Sequence, residues 1–159
     1  MGPSVYIETT IVSYLTAWPK HDAVRQGQQE FTRDWWTLRR NSFELFTSQF
    51  VLDEAAAGDP MAAAERLDAL ANIALLDITD EVVPLADRLL RDGALPLKAR
   101  VDALHLAVAT INGLQYLLTW NCKHLANAML RHRIDEACRS AGYQPPVICT
   151  PPELLGERI

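Results

Sequence analysis

The sequence predicts an α/β protein, a three-layer α/β/α sandwich around a mainly parallel sheet of about five strands. Two features point there. Short segments rich in β-branched, aromatic and aliphatic residues alternate along the whole chain with longer helical segments. The segment Lys98 to Ile111 is apolar around nearly its whole circumference, as a helix buried on most sides should be. With 159 residues, the chain fits one domain, 1–159, large enough to bury about two thirds of its unfolded surface.

The elements follow in order. Ser4 to Glu8 (SVYIE) is the first strand, and Thr9-Thr10 offers an N-cap for a helix from Ile11 to Ala17. After a turn at Pro19 to Asp22, Ala23 to Arg40 is a long polar helix whose Phe31, Trp35, Trp36 and Leu38 face the core or a partner. Phe43 to Ser48 is the second strand. Gln49 to Ala57 is a short helix closed by Gly58, and Asp59-Pro60 starts an Ala-rich helix over Met61 to Asn72. Ile73 to Ile78 is the third strand, and Thr79 caps a helix from Asp80 to Arg91 that ends at Gly93. The apolar helix then leads to a fourth strand, Gln115 to Thr119, and a polar turn at Trp120 to His124. Leu125 to Ala141 is helical, Pro145-Pro146 breaks it, Val147 to Thr150 is the fifth strand, and Pro151 to Leu155 is a last helical turn.

Composition narrows the function classes. The net charge of −5 argues against binding nucleic acid through overall charge, so such a substrate would need a local basic patch or metal ions. Three cysteines, Cys122, Cys138 and Cys149, form neither a CxxC nor a CxxH pattern and support no disulfide framework or zinc site. That favours a reducing, cytoplasmic setting. No apolar run is long enough to cross a membrane, and the start MGPSVYIE lacks the features of a signal peptide; Tyr6 stands where a myristoylation signal wants Ser or Thr.

A carboxylate on the apolar helix has to be explained, because an unpaired buried charge costs several kcal/mol or more. Asp102 therefore predicts a partner, such as Arg100, a hydrogen-bond network or a metal. Three positions later, His105 shares its helical face and can orient it, donate to a substrate phosphate, or simply be a satisfied core residue. Glu8, Glu54, Asp102 and Asn121 all stand at strand ends or on helices beside them, where ligands of open α/β sheets bind. Oxygen donors of this kind suit Mg²⁺ or Mn²⁺, and with such an ion the implied chemistry is phosphodiester hydrolysis. His124 and Lys123 lie beside Asn121 where a phosphate contact is useful. Arg100, with Arg33, Arg39, Arg40, Lys98, Arg131 and Arg133, can line an RNA groove.

Four stretches add a resemblance: VYIETTIVSYL after the first strand, TSQFVLDEAAAGDP around the second acid, RVDALHLAVA on the central helix and YLLTWNCKHL across the fourth strand. On these the chain resembles, over essentially its whole length, the PIN-domain family and in particular the VapC-like ribonuclease toxins of toxin–antitoxin pairs. The resemblance implies four metal-binding places filled here by Glu8, Glu54, Asp102 and Asn121, with Ser48 and Thr9 ordering the site. It implies Mg²⁺ or Mn²⁺ as cofactor, RNA as substrate and a cognate antitoxin as partner. The Trp35-Trp36 pair and apolar helix faces offer a surface for a homodimer or for that partner. Two places depart from the family pattern, with Glu8 and Asn121 where the family places Asp. The longer Glu8 keeps its charge, whereas Asn121 brings an oxygen without charge and weakens the metal site. The competing expectation is a catalytically weakened PIN-fold module that binds RNA or protein.

Overall fold

Strand β1 (Ser4–Ile7) runs through the centre of a five-stranded, all-parallel sheet in the computed structural model, which describes residues 2–156. Met1 and residues 157–159, included in the expected 1–159 domain, lie outside the described residues. β2 (Glu44–Thr47) and β4 (Tyr116–Leu118) flank β1, with Val5 opposite both Leu45 and Tyr116. β3 (Ala74–Leu75) and β5 (Val147–Cys149) form the edges, giving the order β3-β2-β1-β4-β5. Val5, Tyr6 and Ile7 are all fully buried. Consecutive buried residues are what a parallel strand covered on both faces requires.

Eight α-helices surround the sheet: α1 (Thr9–Thr16), α2 (Ala23–Leu38), α3 (Gln49–Ala55), α4 (Pro60–Leu70), α5 (Val82–Arg91), α6 (Arg100–Ile111), α7 (Ala128–Ser140) and α8 (Pro151–Leu155), among the described residues. The α/β sandwich expected from the alternation is the observed architecture. α1 packs on α2, α3 and α4, while α5 packs on α6 and α7. Ala103 and every residue from His105 to Thr110 are buried, as the all-round apolar pattern of α6 predicts.

Several boundaries differ for local reasons. α1 begins at Thr9 because the Glu8 carboxylate, rather than a threonine, accepts from the Thr10 N–H and caps it. At α5 the cap position is Glu81 instead of Thr79, whose hydroxyl donates to the Glu81 carboxylate. α7 starts at Ala128, not Leu125, because the Asn127 side chain accepts from the Met129 N–H at 2.9 Å. β3 is only two residues long, since it pairs with β2 alone at the sheet edge. α2 stops at Leu38 and a 3₁₀ turn, Arg40–Ser42, follows. Its Trp35 is core, and the half-buried Trp36 lies under the Arg40 guanidinium at 4.2 Å. Among the described residues no helix is long and apolar enough to cross a membrane.

The strand order also locates a crevice. From β1 the chain adds β2 and β3 on one side, then crosses to add β4 and β5 on the other. The carboxyl ends of β1 and β4 therefore mark a topological switch point, where doubly wound sheets bind ligands.

Candidate functional site

Glu8 follows β1 at that switch point. Its N–H donates to the Leu118 carbonyl, prolonging the β1–β4 pairing, and its side chain is drawn inward until the residue is only 3 % exposed. Oε1 accepts from the Thr10 N–H (3.1 Å), the Thr10 hydroxyl (2.5 Å) and the Thr119 hydroxyl (2.6 Å). Burial pushes the Glu8 pKa up, opposed by the His105 charge and these donors. The threonines serve twice: Thr10 Oγ1 accepts from the Trp120 N–H and Thr119 Oγ1 from the Asn121 N–H. They tie the end of β1 to the turn after β4. Thr119 is not legible as a site residue in the sequence, where its only signal is its place at the end of the fourth strand.

Glu54 arrives from the last turn of α3. Its Oε1 accepts from the Thr9 hydroxyl at 2.6 Å and stands 2.5 Å from His105 Nε2. The side chain is 38 % exposed. Burial raises its pKa, but the His105 hydrogen bond, the Thr9 hydroxyl and the His105 charge outweigh that and leave it lowered. His105 itself is fully buried, with the rings of Tyr6 and Phe50 arranged edge-on to it. Its Nδ1 lies 2.7 Å from the Tyr6 hydroxyl, which lies 2.7 Å from Ser48 Oγ. Ser48 occupies the N-cap of α3 without capping it, because its hydroxyl is turned to Tyr6. Burial, partly offset by the Ser48 bond and reinforced by the charges of Glu8 and Glu54, holds the Tyr6 pKa well above the ordinary phenol value. Tyr6 stays protonated, and a continuous chain Ser48–Tyr6–His105–Glu54–Thr9 results.

Among the described residues, Glu8, Glu54 and His105 form a group whose ligand atoms all lie within 4.8 Å of one another. Asp102 does not belong to that group. In the first turn of α6, its carboxylate pairs with His124 Nδ1 at 2.8 Å, the two side chains being 18 % and 14 % exposed. The partner expected for this acid is thus His124; Arg100 instead pairs with Asp87 at 2.7 Å. Nor does His105 orient Asp102, since both of its ring nitrogens are taken by Tyr6 and Glu54. Asn121 is half-buried, and its Oδ1 accepts from the His124 N–H at 3.0 Å while its main-chain oxygen accepts from the Ala126 N–H. Its side chain closes the turn after β4. Lys123, two residues on, is exposed.

A hollow of about 300 Å³ against α1 gathers three cations, Lys20, Arg25 and Arg66, beside Tyr14 and Gln29. None of the three belongs to the basic set expected from the sequence. Arg66 also donates to the Ala55 and Ala57 carbonyls at the end of α3, which binds this basic edge to the helix carrying Glu54. In comparisons with known proteins, no family model, no curated protein and no solved structure matches this chain.

Proposed function

We propose that this chain is a metal-dependent ribonuclease that hydrolyses RNA phosphodiester bonds, the toxin component of a type II toxin–antitoxin pair. The observation that carries the proposal is the convergence of Glu8, Glu54 and His105 at the switch point, with ligand atoms within 4.8 Å of one another. Two carboxylates on a partly buried rim suit Mg²⁺ or Mn²⁺, which retain several waters. When bound, such an ion lowers the pKa of coordinated water and offsets phosphate charge. The chain supplies the rest: three donors fix the Glu8 carboxylate, Thr9 steadies Glu54, and Lys20, Arg25 and Arg66 offer positive charge to phosphates nearby. Lys123 and Arg100 remain candidate RNA contacts. The same reading implies a cytoplasmic protein held in check by a cognate antitoxin and able to pair with a second copy of itself.

Incubating the purified protein with structured RNA and Mn²⁺ tests this. Cleavage should stop in EDTA and fall at least about 100-fold in Glu54→Gln, a change at a half-exposed side chain. Cleavage that persists in either case overturns the assignment.

One observation favours a second reading, a weakened PIN-fold module that binds RNA or protein. The amide oxygen of Asn121 is already used by the His124 N–H, and one Asp102 oxygen is already paired with His124 Nδ1. Calorimetric titration discriminates: absence of Mn²⁺ binding at millimolar metal supports the module, and binding lost in Glu54→Gln supports the enzyme.

A further inference from the structure

We infer that His105, through Nε2, is the third ligand of this centre, making it a mixed nitrogen and oxygen site that selects Mn²⁺ and neighbouring transition ions over Mg²⁺. The inference rests on the metal-centre reading above and specifies its donor set. Nε2 stands 2.5 Å from Glu54 Oε1, and one ligand atom from each of Glu8, Glu54 and His105 lies within 4.8 Å of the others. Two ligands at about 2.1 Å from one ion are roughly 3 Å apart, so modest closing movements suffice. Glu54, whose side chain is 38 % exposed while that of His105 is fully buried, has the more room to make them.

The surroundings of His105 fit the same role. A ligating histidine almost always passes its other ring N–H to a fixed partner, which sets the tautomer and the ring orientation. Here Nδ1 meets the Tyr6 hydroxyl at 2.7 Å, and Tyr6 meets Ser48 at 2.7 Å. A hydroxyl both donates and accepts. With Nε2–H donating to Glu54, the Tyr6 hydroxyl donates to Nδ1. When Nε2 ligates, the ring proton sits on Nδ1 and donates to Tyr6 Oη, and the Tyr6 hydroxyl donates to Ser48 instead. The two arrangements hold the same number of protons. An imidazole nitrogen favours later first-row ions, whereas Mg²⁺ prefers an all-oxygen shell.

Pulsed electron paramagnetic resonance on Mn²⁺ bound to the intact protein tests this, together with calorimetric titrations of Mn²⁺ and Mg²⁺. The expected result is ¹⁴N coupling from one imidazole and Mn²⁺ affinity at least about tenfold above that for Mg²⁺. In His105→Gln the coupling should vanish and Mn²⁺ affinity should fall about 10- to 100-fold, with Mg²⁺ affinity less affected. Tyr6→Phe, which keeps the imidazole but removes its partner, should weaken Mn²⁺ binding about tenfold. Bound Mn²⁺ without ¹⁴N coupling overturns the inference and leaves an all-oxygen centre, a result read on the wild-type protein even if His105→Gln fails to fold. Absence of any divalent binding overturns the metal-centre reading with it. Nitrogen-coupled Mn²⁺ without RNA cleavage overturns the ribonuclease alone.

Discussion

Glu8 holds a carboxylate in a place where burial works against its charge, and that conflict has a measurable sign. Its folded pKa is raised, chiefly by desolvation, so the folded chain retains a proton that the unfolded chain releases. Stability from this group is therefore fully present below the ordinary glutamate range and is lost as pH rises through the raised folded value. Glu8→Gln keeps an oxygen for Thr10 and Thr119 but cannot ionise. Without added metal, its melting temperature should match wild type near pH 4 and exceed it increasingly towards pH 8, by about 2 to 4 °C per kcal/mol of removed cost. Thermal scans across pH check this, and an equal or lower melting temperature at pH 8 refutes it. Glu54, with a lowered pKa, contributes in the opposite sense and is common to both proteins. The position of both glutamates was legible in the sequence because Glu8 follows the first strand directly and Glu54 lies on the short helix that follows the second. The Asp102–His124 pair was not, since the two lie 22 residues apart and meet only once β4 has crossed beside β1. The hydroxyl partners Tyr6 and Thr119 carry no local pattern at all; tertiary approach assigns them.

Helix ends were less legible than helices, and the cause is competition among neighbouring caps. The threonine pair at 9–10 and the single Thr79 look like N-caps, yet at α1 an adjacent carboxylate reaches the free N–H first and at α5 the cap position falls to Glu81. For α7 the apolar Leu125 and Ala126 extend the helical pattern backwards, but Leu125 is buried in the turn that Asn121 closes. The helix starts only where Asn127 supplies an acceptor, which makes its contribution separable from that of the turn. Asn127→Ala should lower stability by about 1 kcal/mol, or roughly 2 to 4 °C in melting temperature. Urea denaturation reads the loss, and an unchanged midpoint means that water replaces the cap at no cost. Where two caps do cooperate, as at α8 with the reciprocal Thr150 and Glu153 bonds, the sequence places the helix correctly.

The whole molecule is arranged around β1, and the order of its strands couples stability to the site. β1 and β4 are paired along their length, are prolonged by the Glu8 to Leu118 bond, and lie against a core that includes the fully buried α6 residue Leu106. β3, by contrast, is a two-residue edge with both residues exposed. The alternation of strands and helices made this architecture legible, but the length of β3 was not, because an apolar run such as IALLDI reads alike at an edge and at the centre. Centre and edge should differ sharply when cut back to alanine. Leu106→Ala removes a side chain with no exposure and should cost about 2 to 5 kcal/mol. Leu75→Ala removes one that is 51 % exposed and should stay within about 0.5 kcal/mol. Urea midpoints measure both. Equal losses would mean that the edge strand, rather than the β1–β4 pair and the helix bearing His105, holds the sheet together; the unequal losses expected here would put the stability of the fold and the geometry of the acidic site on the same central strand.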